Sequence, residues 1–183
     1  MILAGRVGLQ YPQVRIDDYH IDAMAAHLVR RIHDFDVIVT TNMFGDILSD
    51  LAAELTGSLG IAPSINTNDH QAMAQAAHGS APDIVGQNIA NPTGMLLSVA
   101  MLMDRLASRY EDARLAMTAR KIVQAIFETI AEGTLTRDLG GTASTASFSN
   151  AVCEKIRDGR LDSTLSQPNP SAADNASLNW KFE

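Results

Sequence analysis

Cysteine, lysine and aromatic residues are all scarce in this chain, and each scarcity narrows what it can do. Cys153 is the one cysteine in 183 residues, so no internal disulfide can form, and no Cys/His zinc spacing occurs. A packed or half-exposed thiol is the expected state. No apolar run approaches the roughly 18 residues of a membrane span. The apolar start over Met1–Gln10 has neither a true h-region nor a cleavage site. The default expectation is a cytoplasmic protein with no membrane partner. Positive charge is also in deficit. Fourteen Lys and Arg against 21 Asp and Glu give a formal net charge of −7, which argues against a surface built for nucleic acid. No G-x-G-x-x-G run is present, so any dinucleotide must be held by a different loop.

What is there reads as an ordinary soluble α/β chain, 46% hydrophobic and long enough for a sizeable core. Val14–Tyr19 (VRIDDY) reads as a strand. His20–Ile32 is an amphipathic helix with Ile21, Met24, Ala25, Leu28, Val29 and Ile32 at helical spacing. Phe35–Thr41 is a β-branched run typical of a buried strand. Asn42–Gly45 then reads as a turn, with a helix over Asp46–Leu55 stopped near Gly57. Gly60–Thr67 is expected as strand and turn and Ala76–Asn91 as loop. Helices are expected from Pro92 or Thr93 to Tyr110, from Glu111 to Glu132 and from about Ser144 to Arg157. Residues 159–183 turn polar and read as a weakly ordered tail after one domain portion over 1–158. Trp180 lies in that tail and receives no role.

Asp46 and Asp50 stand four residues apart, so a helix projects both from one face. Two adjacent carboxylates repel unless a cation or proton lies between them. Two readings stand open. In one, Asp46 supports the helix N-terminus and Asp50 faces water. In the other, the pair holds a hard cation such as Mg²⁺ or Mn²⁺, which takes a few carboxylates together with waters and substrate oxygens. Asp22, opening the preceding helix, offers a third oxygen ligand.

The run Asn42-Met43-Phe44-Gly45-Asp46-Ile47-Leu48-Ser49-Asp50 resembles the signature of the β-decarboxylating isocitrate/isopropylmalate dehydrogenase family. Ile21-Asp22-Ala23-Met24, Leu55-Thr56-Gly57-Ser58-Leu59-Gly60, His78-Gly79-Ser80-Ala81-Pro82-Asp83 and Ile89-Ala90-Asn91-Pro92 continue the match in order, over roughly residues 11 to 157. The resemblance implies a partial fold of that family, with helices layered around a sheet and the family's first half missing, this chain being its carboxy-terminal portion. It implies that Asp46 and Asp50 bind Mg²⁺ or Mn²⁺ beside a hydroxy-acid substrate. Asp22 would reach the metal of a neighbouring subunit, in a homodimer with shared active sites.

The same resemblance makes residues 78–91 a cofactor loop. Gly79 lets backbone approach the ligand, Pro82 stiffens the turn, and Ser80 and Ala81 lie between them. Asp83 would accept hydrogen bonds from the adenosine ribose and repel a 2′-phosphate, which favours NAD over NADP. His78 is the first adenine contact expected and Asn91 the second. One departure stands out: relatives carry Glu-x-Val-His where this chain has Gln75-Ala76-Ala77-His78, which leaves the nicotinamide side less defined. Thr136–Thr142, with Gly140 and Gly141 marking tight backbone, is either a helix connector or a cofactor contact. Arg30, Arg31, Asp104, Arg105, Arg109 and Glu111 read as solvated helix-face charges.

Proton transfer in the family depends on a lysine and a tyrosine. The chain's lysines are Lys121, Lys155 and Lys181, all after the metal motif, and neither acid/base residue has a counterpart here. The expected activity is NAD-dependent oxidative decarboxylation of a 3-isopropylmalate- or isocitrate-type acid, with the chain inactive alone. The alternative is a non-catalytic regulatory subunit that keeps a nucleotide or metal site.

Overall fold

The computed structural model describes residues 6–158 and the strand 179–182. Residues 1–5, 159–178 and 183 lie outside the described residues, and with them most of the expected tail. The stretch expected as one domain portion divides after Leu55 into two compact units, the strand 179–182 belonging with the first.

The first unit is a three-stranded parallel sheet with two helices. Strand β1 (Arg15–Asp18) leads through helix α1 (Ile21–Arg31) to β2 (Val37–Val39), the helical crossover that parallel strands require. β5 (Asn179–Phe182) lies between β1 and β2, with Asp18 opposite Phe182 and Val37 opposite Trp180. Four residues assigned from composition to a polar tail are therefore the central strand. Aromatic Trp180 and Phe182 alternate there with Asn179 and Lys181, a strand pattern too short to shift the average of a polar segment.

Helix α1 forms because Met24 and Leu28 share one face; both are almost fully buried and pack with Leu48 of α2 (Asn42–Thr56). Asp22 lies in its first turn and Arg30 and Arg31 in its last, matching the helix dipole. Arg31 departs from the expected solvated pair. Its guanidinium lies 5.8 Å from the Phe35 ring centre, donates to the Tyr19 hydroxyl at 3.4 Å and pairs with Asp34 at 3.6 Å.

The second unit packs three helices with a hairpin. β3 (Pro63–Thr67) and β4 (Ala72–Ala76) pair antiparallel, Pro63 opposite Ala76. Helix α3 (Thr93–Tyr110) packs on both strands. Gly94 permits that approach, since a Cβ there would meet the Ala62 carbonyl oxygen at 2.7 Å. Buried Ser98 fastens the contact. Its hydroxyl lies 2.7 Å from the carbonyl oxygens of both Gln75 and Gly94 and accepts the Ser64 N–H at 3.0 Å. Helices α4 (Ala113–Ala131) and α5 (Thr145–Asp158) complete a core of Ala100, Ala119, Ile122, Ala125, Ile126, Phe148 and Val152.

Arg105 and Arg109, expected as solvated charges, instead hold the hairpin turn. Arg105 donates to Thr67 Oγ1 at 3.1 Å and to the Asn68 carbonyl at 2.9 Å, while Arg109 donates to the Asp69 carbonyl. Cys153 is exposed. No described helix is long and apolar enough to cross a membrane.

Candidate functional site

The candidate metal carboxylates belong to the first unit. Helix α2 begins at Asn42, so the expected turn over Asn42–Gly45 is the first turn of the helix and Gly45 has no positive φ. Asp46 accordingly sits beyond that turn, which carries no acidic residue. A charge stabilises a helix N-terminus mainly within the first turn, so the reading of Asp46 as a helix-terminus partner loses its basis. Asp46 and Asp50 are exposed, one helical turn apart. Met43 and Ile47, at the same spacing, are 63% and 57% exposed. A pair of carboxylates thus adjoins an apolar stripe on the surface of α2.

Asp22 is exposed as well, and its Oδ1 accepts the N–H of Ala23 at 2.8 Å. Among the described residues of one chain, no three His, Cys, Asp or Glu side chains group so as to hold a metal. The donor chemistry of Asp46 and Asp50 fits two anionic oxygens of a hard cation, which also takes water and substrate oxygens. The described residues of one chain offer no third protein ligand grouped with them.

The candidate nucleotide residues belong to the second unit. His78, Gly79, Ser80, Ala81 and Asp83 are all exposed on the loop after β4. His78 Nδ1 lies 2.9 Å from the Gly79 carbonyl oxygen. A Cβ on Gly79 would meet nothing within 4 Å, so space for a ligand backbone contact is open there. Ala81 adopts a left-handed φ of 42°, unusual for a residue with a Cβ, and leads into a 3₁₀ turn over Pro82–Ile84. Gln87 Nε2 donates to the Asp83 carbonyl at 2.7 Å, closing that turn and leaving the Asp83 side chain on the exposed face.

Asn91, expected as the second adenine contact, turns its side chain into the protein. It is 7% exposed, donates from Nδ2 to Asp138 Oδ2 at 2.9 Å and accepts the Thr93 N–H on Oδ1 at 3.0 Å. Both ends of the amide are used inside the protein. The Thr136–Thr142 turn is more than a connector, because it brings Asp138 to Asn91 and to Ser58, whose hydroxyl donates to the same Oδ2 at 2.5 Å. Burial alone would raise the Asp138 carboxyl; the bonds from Ser58 and Asn91 to its charged form outweigh that and hold it below the ordinary carboxylate value.

Spacing gave no sign of this carboxylate's partners. The paired Gly140 and Gly141 were the available signal: Gly140 has a φ of 80°, and a Cβ on Gly141 would strike the Leu135 carbonyl. A surface depression on the hairpin, lined by Asn66, Thr67, Asn68, Gln71, Ala72 and Met73, contains none of the expected site residues.

Comparison with known proteins bears on both places. A sequence model described as isocitrate/isopropylmalate dehydrogenase matches residues 3–152. The 3-isopropylmalate dehydrogenase of Archaeoglobus fulgidus is 47% identical over 150 residues, covering 82% of this chain and 44% of that protein. The isocitrate/homoisocitrate dehydrogenase of Thermus thermophilus is 46% identical over 151 residues, covering 82% and 43%. Among solved structures, isocitrate dehydrogenase from Methylococcus capsulatus superposes with a TM-score of 0.76 at 39% identity, over 85% of this chain and 44% of that one. The chain thus spans less than half the length of these relatives.

Proposed function

The chain belongs to the isocitrate/isopropylmalate dehydrogenase family, and from that premise we propose that it supplies the metal carboxylates and the NAD loop of a decarboxylating 2-hydroxy-acid dehydrogenase. The observation that carries the proposal is the placement of Asp46 and Asp50. They lie one turn apart on an exposed helix face, beyond the first turn where they would serve the helix itself.

A divalent cation held by Asp46 and Asp50 would supply Lewis-acid polarisation of the substrate's hydroxyl and carboxylate, and a nucleotide held by residues 78–91 would supply the hydride acceptor. The protein's own residues bind and orient. Asp46 and Asp50 present negative oxygens on a rigid helix. Asp83, at the exposed start of a 3₁₀ turn, accepts hydrogen bonds from ribose hydroxyls and repels an added phosphate. Gly79 and the backbone at Asn91 let the nucleotide lie close to the chain. The acid/base lysine and tyrosine are supplied from outside this sequence, and the chain alone does not turn over.

Asp22 serves a second copy of the chain. Among the described residues of one chain the pair at Asp46 and Asp50 has no third ligand grouped with it, and exposed Val29, Met43 and Ile47 give α1 and α2 an apolar surface for a homodimer. The relatives' names range over isopropylmalate, isocitrate or homoisocitrate, and D-malate at nearly equal identity. A 3-isopropylmalate- or isocitrate-type acid ranks first by resemblance, and a panel of acids that includes malate, run on the full-length protein, selects among them.

Isothermal titration of this chain with NAD and NADP, with and without Mn²⁺, tests the binding roles. NAD should bind more tightly than NADP, Asp83→Ala should lose most of the NAD affinity while remaining folded, and Asp46→Asn should lose Mn²⁺. Equal affinity for the two nucleotides would remove the role given to Asp83. Steady NADH production by the isolated chain with any of these acids would remove the claim that it needs residues from elsewhere.

A further inference from the structure

We propose that Asp138 is a positioning residue for the nucleotide loop, setting the backbone at Asn91 through a chain of hydrogen bonds; this rests on the nucleotide reading of residues 78–91. The Gly60 N–H donates to Ser58 Oγ at 3.0 Å, and Ser58 Oγ donates on to Asp138 Oδ2 at 2.5 Å. Asn91 Nδ2 donates to the same oxygen, and Asn91 Oδ1 accepts the N–H of Thr93. One carboxylate oxygen therefore joins the segment after α2, the entry to α3 and the turn before α5. A Cβ on Gly60 would come within 3.0 Å of both Asn91 Cβ and Asp138 Oδ2, so the four groups are closely packed.

The other end of the loop is held from α5. The Asn88 carbonyl accepts the Thr145 N–H at 2.9 Å and Asn88 Oδ1 accepts the Ala146 N–H at 3.1 Å. Thr145 Oγ1 donates to the Ala90 carbonyl at 2.5 Å. Residues 88–91 are thus clamped at one end by α5 and at the other by Asp138. Because the Asn91 side chain is buried and bonded at both ends, its backbone is the part offered to a ligand, and Asp138 sets where that backbone lies. A charged acceptor suits the task, because it takes two donors at once more strongly than a neutral group.

The test exploits the direction of the bonds. In Asp138→Asn an amide oxygen in the place of Oδ2 accepts both donors without the charge that strengthens them, and an N–H₂ turned there meets two donors, so either orientation weakens the contact. In Asn91→Asp two carboxylates face each other. The double swap, Asp138→Asn with Asn91→Asp, sets an N–H₂ opposite a carboxylate oxygen, lets Ser58 Oγ accept its second hydrogen and keeps an acceptor for Thr93. Titration of the full chain with NAD should show each single variant weaker by about tenfold, with most of that regained in the swap. A merely structural role would lower the melting temperature of Asp138→Asn and leave the NAD affinity of the folded protein unchanged; that result overturns the proposal. Failure of the swap to recover affinity also overturns it.

Should Asp138→Asn not fold, Ser58→Ala removes one support of the carboxylate, and unchanged NAD affinity there counts against the proposal equally. Amide exchange separates this idea from the nucleotide reading itself. If the unaltered chain binds no NAD, that reading falls. Exchange at Thr93, whose N–H is held by Asn91 Oδ1, faster in Asp138→Asn and slowed again in the swap, still establishes the clamp, whereas unchanged exchange removes it.

Discussion

Residues 6–55 and residues 56–158 place their polar chemistry in opposite environments. The first stretch carries Asp46 and Asp50 on an open helix face beside exposed Met43 and Ile47, over a small core of Met24, Leu28 and Leu48. The second engages Asp138 with Ser58 and Asn91 and surrounds Ile126 and Phe148 with a larger apolar cluster. The difference teaches what each place needs. Two exposed carboxylates repel until a cation joins them, and the apolar surface beside them stays wet until a partner covers it. The Asp138 network already has its donors in place. On the proposed reading the first region is completed by binding, whereas the second already holds its partners.

The largest expected effect tests the second region. Phe148 is fully buried against α3 and α4, and Phe148→Ala should cost about 3–5 kcal/mol. Urea denaturation gives the figure, with exchange protection over 93–152 falling alongside it. A cost below about 1 kcal/mol, well under the range for burying such a ring, would mean that this region is no better packed than the first.

Next comes Ser98→Ala. It removes the hydroxyl that links α3 to the hairpin and leaves the Ser64 N–H without that acceptor. A buried donor deprived of its partner costs about 1–3 kcal/mol. The same urea series reports it, and a loss no larger than that of a surface serine would show that water replaces the hydroxyl.

These two residues also show what the sequence could and could not tell. Helices α1, α3, α4 and α5 were legible because their buried residues recur at helical spacing, as Met24 and Leu28 or Ile122 and Ile126 do. Gly57, with a φ of 129°, ends α2 where a stop was expected. β4 was not legible, since Ala72–Ala76 has little β propensity and owes its form to pairing with β3 and to cover by α3. Asn42–Gly45 looked like a turn because Asn and Gly favour turns locally, yet the chain carries the helix through them. The Asp138 network lay furthest from sequence reasoning. Its partners are 80 and 47 residues away, and no periodicity reaches that far.

A third prediction uses pH. The Asp138 carboxyl is lowered in the folded chain, so its contribution to stability is fully present above the unfolded value of about 3.9. That contribution is lost as pH falls through the lower folded value. Acid unfolding followed by circular dichroism should therefore show a shallower loss below about pH 4 in Asp138→Asn than in the unaltered chain. Asp112 titrates in the same window. Its bond with the Arg114 side chain, and its acceptance of the Arg114 N–H at the start of α4, lower its carboxyl to about 2. The experiment is therefore run in an Asp112→Asn background as well, and identical acid limbs with and without Asp138 there would show that its carboxyl carries no such linkage.

The smallest effect on folding belongs to Ile47→Lys, and it separates the two regions most sharply. Ile47 is 57% exposed on α2, and lysine is at least as good a helix former as isoleucine, so monomer stability should move by no more than about 0.5 kcal/mol. Association is another matter. If Met43 and Ile47 meet a second copy beside the Asp46–Asp50 pair, a lysine placed there buries a charge in an apolar contact. Sedimentation should then show the dimer weakened by tenfold or more, by the affinity scale in which about 1.4 kcal/mol is one decade. Mn²⁺ affinity should fall with it, because Asp22 of one copy would no longer reach the pair on the other. A variant that dissociates but keeps full Mn²⁺ affinity would leave the dimer standing and remove Asp22 from the metal. One that stays dimeric would show that the exposed stripe on α2 serves something other than self-association.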